Sequence, residues 1–278
     1  MKLLIFDLDG VITTEATYWN IARQGLYQIL APAIDPLPLD FIYWVKNHSI
    51  NHNWDVAFVA LTAAGTFDKF RADRDHLTGR ALLESCAGYR AEPWKRVHEV
   101  CQAIQDSSPL PDAGLHSPGE TVALFETLAG RGFEMGVATG RPKPEALAPL
   151  DQLNIRRFFP ENRIITHLEV QQAESSAGVP LGKPHPFVAL RVVYPSMPLD
   201  DLLRTPPANR PGVWFIGDTA SDAQAALAAG ATPIGVLSAL PKGPYRDQRR
   251  RTLADLGCRI ILDSVLDLPG VLPPPCET

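Results

Sequence analysis

Two aspartates stand one residue apart at the end of an apolar run, Lys2-Leu-Leu-Ile-Phe-Asp7-Leu-Asp9-Gly10. Side chains at i and i+2 of an extended chain point the same way. Asp7 and Asp9 therefore share a side if the extended geometry persists. Two ionised carboxylates in one place repel, so the pair asks for a metal or a shared proton. Alone, they also read as turn formers, with Gly10 supplying a free φ. Three later stretches bear on the choice: Thr139-Gly140-Arg141-Pro142, Gly182-Lys183-Pro184 and Gly217-Asp218-Thr-Ala-Ser-Asp222.

Asp7, Asp9, Asp218 and Asp222 would carry four negative charges in one crevice, which is untenable without compensation because each raises the pKa of the others. A divalent cation and Lys183 would supply three positives. Hard oxygen ligands with open positions suit Mg²⁺. Thr139 and Lys183 could then hold an anion, as a hydroxyl donor and a point charge. The chemistry this describes is a phosphoryl group beside Mg²⁺, with a carboxylate placed to attack it. Protonating Asp9 would relieve the crowding, so Asp9 is expected to carry a raised pKa when substrate is bound.

These residues need a scaffold that brings four distant stretches together. The apolar run before Asp7 predicts a strand buried on both faces. Residues from about 15 to 106 show helical patterns and no buried strand: Ile21 to Leu30, Leu39 to Val45, Val56 to Ala63, Leu77 to Cys86 and Trp94 to Ile104. A Ser-, Pro- and Gly-rich loop, Ser107 to Pro118, reads as a hinge. Strands and helices then alternate. Ser117-Pro-Gly-Glu120 predicts a capping box opening a helix to about Gly130. Strands are expected over Phe133–Ala138, Arg163–Thr166, Gly212–Ile216, Thr232–Val236 and Arg259–Leu262, with a helix from Gly182 to about Val193 and an alanine-rich one after Asp222. Such alternation predicts an α/β fold, a doubly wound parallel sheet, whose ligands bind at the carboxyl ends of the strands. The boundaries expected are a core of 1–14 and 110–278 around a helical insert of 15–109.

Composition narrows the function classes. The 278 residues carry a net charge of −5, with 45% hydrophobic and 21% charged residues. Nothing draws such a chain to nucleic acid or to an anionic membrane. Arg249-Arg250-Arg251 is the only basic run and reads as a solvated face at a helix start. The four cysteines, Cys86, Cys101, Cys258 and Cys276, form no C-x-x-C pair, so a reduced, cytoplasmic setting is expected. The start does not read as a signal peptide, and no apolar stretch is long enough to span a bilayer. Nothing in the sequence sets an oligomeric state.

Asp7-Leu-Asp9-Gly-Val, Thr139-Gly-Arg-Pro, Gly182-Lys183-Pro and Gly217-Asp218-Thr-Ala-Ser-Asp222 resemble the four ordered motifs of the haloacid dehalogenase superfamily. The resemblance spans residues 1–13 and about 115–268. It implies a Rossmann-like core and a helical cap that closes over the crevice. It also implies that Asp7 is the nucleophile and forms an aspartyl-phosphate, with Asp9 as general acid and then base. Mg²⁺ would be held by Asp7, the main-chain carbonyl of Asp9 and Asp218, with Asp222 in support. Thr139, Gly140 and Lys183 would bind the phosphoryl group, Lys183 also stabilising its developing charge. The expected substrate is a small phosphorylated metabolite. An acid at Asp9 favours phosphoryl transfer over dehalogenation, because a halide leaves without a proton and an alkoxide does not. Val11 stands where phosphatase members have threonine and resembles β-phosphoglucomutases, so a sugar phosphomutase is the alternative. A non-catalytic binding protein is a third reading.

Other residues invite weaker readings. Lys143 also precedes a proline and competes with Lys183. Arg141 reads equally as a substrate contact or a surface residue. His48 and His52, four apart, could share a helix face and a metal, although solvent exposure is the simpler reading. His185 reads as decoration of a helix start. Tyr18, Trp19, Phe41, Tyr43 and Trp44 read as core of the insert. The Pro195–Pro211 stretch has no functional reading, and the proline-rich end reads as loose.

Overall fold

The computed structural model describes residues 2–30, 35–107, 114–206 and 208–274. The chain divides into two compact units: Met1–Thr14 with Asp112–Thr278, and the inserted Glu15–Pro111. Of the hinge predicted over Ser107 to Pro118, residues 108–113 lie outside the described residues.

The split unit is an α/β fold around a six-stranded parallel sheet. Its strands are β1 (Leu3–Phe6), β2 (Glu134–Ala138), β3 (Ile164–Ile165), β4 (Val213–Gly217), β5 (Thr232–Val236) and β6 (Ile260–Leu262). They lie in the order β3-β2-β1-β4-β5-β6. β1 pairs in parallel with β2, Leu3 opposite Glu134, and with β4, Leu3 opposite Val213. All four β1 residues are fully buried, as a strand covered on both faces must be. Leu4 and Phe6 join one apolar cluster with Phe125, Val137 and Phe159. Leu3 and Ile5 join another with Phe187, Phe215 and Ala225. From β1 the chain builds β2 and β3 outward on one side, then crosses to build β4, β5 and β6 on the other. A crevice opens where the order reverses, at the carboxyl ends of β1 and β4.

The inserted unit is helical: α1 (Ala16–Leu30), α2 (Leu39–Asn47), α3 (Asn53–Ala63), α4 (Phe67–Arg74), α5 (Gly79–Glu84) and α6 (Glu92–Ser107). Its core includes Tyr18, Phe41, Trp44, Trp54 and Phe58. Tyr43 is buried too, with Trp19 edge-on to it at 5.8 Å. The periodic reading placed Tyr27 on the inner face of α1, yet Tyr27 is 42% exposed. Tyr18, Ile21, Ala22, Gly25 and Leu26 form that face. Helix α4 was not foreseen; in Phe-Asp-Lys-Phe-Arg-Ala-Asp-Arg only Phe70 is buried.

The remaining helices belong to the split unit: α7 (Pro118–Gly130), α8 (Lys143–Gln152), α9 (His167–Ala177), α10 (Phe187–Val193), α11 (Leu199–Leu203), α12 (Ala220–Ala228), α13 (Pro244–Asp255) and α14 (Leu268–Val271). α7 opens with the expected Ser117–Glu120 capping box. Three expectations need correction. Helix α9 was missed because it buries only Val170 and Ala173. The end of the chain is not loose through its described part, since Val265, Leu268 and Leu272 are buried in the core. Arg249–Arg251 lie inside α13 rather than at its start, and Arg249 is buried. Among the described residues no helix is long and apolar enough to cross a membrane.

Candidate active site

Asp7 continues the β1 ladder by one residue, its N–H donating to the Ile216 carbonyl at 2.9 Å. The chain then turns sharply. The Leu8 carbonyl accepts from Ile12 and Thr13, and the Gly10 N–H donates to the Thr13 carbonyl. Gly10 sits at φ +75°, and a Cβ there would lie 2.4 Å from the Asp218 carboxylate. Glycine is thus required twice over, by backbone conformation and by the approach of Asp218.

Asp218 immediately follows β4, and Asp222 lies in the first turn of α12. Oxygens of Asp7, Asp218 and Asp222 lie within 4.8 Å of one another. Lys183, far away in the chain, places Nζ 2.9 Å from Asp7 Oδ2 and 2.6 Å from Asp222 Oδ1. It also donates to the Ala138 carbonyl at 3.3 Å, at the end of β2. Of the residues predicted to share one rim, Asp7, Lys183, Asp218 and Asp222 therefore meet. Asp222 also closes a capping box, its Oδ2 accepting from the Thr219 N–H at 3.1 Å and hydroxyl at 2.6 Å. The helix-start reading of Asp222 is therefore correct, and the same residue lies in the acidic cluster with Asp7 and Asp218. A Cβ on Gly217 would fall 2.3 Å from Asp222 Cβ, so the last β4 residue must be glycine for α12 to start there.

Asp9 takes a different partner. Arg141 Nε reaches both its oxygens, at 3.1 and 3.0 Å, and Nη2 adds a second contact to Oδ1. Arg141 Nη2 also donates to the Thr13 hydroxyl at 3.0 Å, and Thr13 to Asp9 at 3.3 Å. Arg141 is only 3% exposed. It is not a surface residue, and its guanidinium holds Asp9. Thr139 is buried at the β2 end, its hydroxyl accepting from the Arg141 N–H at 3.3 Å. Gly140, between them, is exposed and has nothing within 4 Å of where a Cβ would stand. Arg249 donates to the Asp218 carbonyl at 2.7 Å and lies 3.5 Å from Oδ2. The solvated-face reading of the arginine run is thus wrong for its first member.

The charge count improves on the one made from sequence. Asp7, Asp9, Asp218 and Asp222 face Lys183, Arg141 and Arg249. Four carboxylates against three cations leave these groups one positive charge short. The strain falls on Asp7, whose carboxyl burial pushes up to about 7, against the pull of Lys183 and with the push of Asp222 and Asp9. Burial opposes the charge on Lys183, but Asp222 and Asp7 outweigh it and hold the ammonium protonated. A site of oxygen donors with one charge lacking fits a small divalent cation.

The competing candidates lie elsewhere. Lys143 pairs with Glu161 at 2.9 Å and Glu169 at 3.5 Å. His185 accepts from the Phe187 N–H at 3.1 Å, just before α10. His48 ends α2 while His52 precedes α3, so they share no helix face. His48 is buried, its ring nitrogens 2.7 Å from the Trp44 carbonyl and 3.2 Å from that of Asp75.

The family model of the haloacid dehalogenase-like hydrolases matches residues 1–230. The chain belongs to that family. Solved structures similar to this hydrolase include a phosphoglycolate phosphatase assigned by prediction, from Haemophilus somnus 129PT. It is 18% identical, covering 98% of this chain and 97% of its own, with a TM-score of 0.58. A protein assigned as a β-phosphoglucomutase, from Thermotoga maritima, is 21% identical over 98% and 100% of the two chains, with a TM-score of 0.52. A HAD family hydrolase from Deinococcus radiodurans R1, holding phosphate and sodium, is 18% identical over 99% and 98%, at 0.52. At these identities the likeness concerns the fold of the hydrolase. No curated protein matches it.

Proposed function

We propose that this hydrolase is a Mg²⁺-dependent phosphatase acting on a small phosphomonoester. The observation that carries the reading is the meeting of Asp7, Lys183, Asp218 and Asp222 in one buried cluster. Asp7, the Asp9 carbonyl and Asp218 would hold Mg²⁺, with Asp222 in support through its grip on Lys183. When bound, the ion supplies the positive charge that keeps Asp7 ionised and offsets charge on the phosphoryl oxygens.

An Asp7 carboxylate oxygen attacks phosphorus, and the bond from phosphorus to the ester oxygen breaks. Asp9 gives its proton to the departing alkoxide. Asp9 then takes a proton from water as the water oxygen attacks phosphorus, which releases phosphate and frees Asp7. Lys183 stabilises the oxygens that gain charge, beside Thr139 and Gly140. Arg141 fixes where the Asp9 proton is delivered. The inserted unit would act as the cap and choose among substrates.

The mutase alternative drew on Val11, yet Val11 is fully buried in the apolar core. A threonine hydroxyl there would need a partner, so position 11 reports packing and carries no weight for transfer to a sugar. The bound phosphate of the Deinococcus radiodurans relative is in keeping with phosphatase chemistry. The test is phosphate release over a panel of phosphorylated metabolites, with Mg²⁺ and with chelator. A turnover that needs Mg²⁺ and vanishes in Asp7→Asn is expected. Unchanged release in Asp7→Asn would overturn the nucleophile. Little release without a bisphosphate primer would point to the mutase.

A further inference from the structure

The inserted unit holds a second group of ligating side chains, chemically unlike the first. His52 precedes α3, Asp55 lies in its first turn, and His98 projects from α6. One ligand atom from each lies within 4.8 Å of the others. His98 Nε2 is 3.0 Å from Asp55 Oδ1, and the His52 and His98 rings stack at 5.1 Å with 13° between their planes. Asp55 is oriented from behind: Trp94, one turn before His98 on α6, donates its indole N–H to Asp55 Oδ1 at 2.8 Å. A ligating carboxylate fixed by such an outer hydrogen bond is the usual architecture of a metal site. The surroundings hold the Asp55 carboxyl below its ordinary range: burial works against its charge, but the His98 and Trp94 contacts and the nearby His52 prevail.

We propose that His52, Asp55 and His98 bind a divalent transition ion of the zinc class, separate from Mg²⁺ at Asp7. The donor set decides the class. Two imidazoles and one carboxylate form a borderline N₂O set that selects Zn²⁺, Co²⁺ or Ni²⁺, whereas the oxygen-only cluster at Asp7 favours Mg²⁺. Three protein ligands leave at least one position for water. Asp55 and His98 already face each other across a hydrogen bond, and an ion would replace the shared proton. His52 is the exposed member.

The full chain, held in excess Mg²⁺, would be titrated with Co²⁺ and followed by the visible d–d absorption. One equivalent is expected to bind and to be displaced by Zn²⁺. His52→Ala, whose side chain is exposed, and His98→Ala are each expected to weaken that binding by roughly tenfold or more. Phosphate release in Mg²⁺ buffer freed of transition metals should be unchanged in His52→Ala. Absence of Co²⁺ binding by the wild-type chain overturns the proposal. So does an undiminished affinity in His52→Ala, which removes a proposed ligand. Loss of binding in His98→Ala counts only with circular dichroism matching wild type; if that variant unfolds, His98→Gln replaces it under the same criterion.

Discussion

The Asp7 carboxyl is buried 2.9 Å from Lys183 Nζ, yet burial and two neighbouring aspartates push it up to about 7. In the unfolded chain an aspartate titrates near ~3.9. The folded form binds the proton more tightly, so this group's stabilising contribution is full below about pH 4. It is lost as pH rises to about 7 and is level above. In chelator, thermal melts from pH 4.5 to 8 should therefore show wild type losing stability relative to Asp7→Asn across that window. Parallel curves would contradict the assignment. A cation that binds at Asp7 must displace the proton. Mg²⁺ binding near pH 6.5 should release protons, read by calorimetry in buffers of different ionisation enthalpy, and affinity should fall on acidification. At Asp9 the relevant change is Arg141→Ala, which removes its positioning partner. It should lower kcat by about 10- to 100-fold with little change in KM, because the acid is misplaced and the phosphoryl cradle is intact. A raised KM with kcat little changed would mean instead that Arg141 binds substrate.

At the scale of elements, the site depends on helices and strands ending where they do. Gly217 closes β4 with Asp222 so near that a methyl group would collide with it. Gly217→Ala should push the start of α12 outward, weaken Mg²⁺ binding and lower activity, while leaving the sheet assembled. A metal titration beside a circular dichroism spectrum checks both halves. Much of this was legible from residue order. Asp7, Thr139 and Asp218 each follow an apolar run, and the end of such a run marks the rim of a parallel sheet. The partners Arg141 and Arg249 were not legible. Their contacts span 132 and 31 residues, and nothing local distinguishes a buried arginine from a solvated one. Helix α9 hid its signal in a different way. Its apolar face is thin, but Thr166-His-Leu-Glu169 spells the capping box seen there, with Glu169 accepting from the Thr166 N–H at 2.8 Å. Reading that pair would have found the helix.

For the whole molecule, an ion that binds only the folded chain stabilises it by mass action. At about 100 times its Kd, Mg²⁺ should add about 2.7 kcal/mol, or some 5–10 °C in Tm at roughly 2–4 °C per kcal/mol for a chain of this size. Asp218→Asn should abolish most of that shift, and a shift of equal size in that variant would place the ion elsewhere. The sheet order has a further consequence. β1 is made first but lies between strands that arrive at residues 134 and 213. During synthesis the opening strand waits with bare edges while the helical insert emerges and can compact. A chain that ends before Val213 carries Asp7 with neither Asp218 beside it nor the second strand that flanks β1. In this protein the strand made first is among the last to be enclosed.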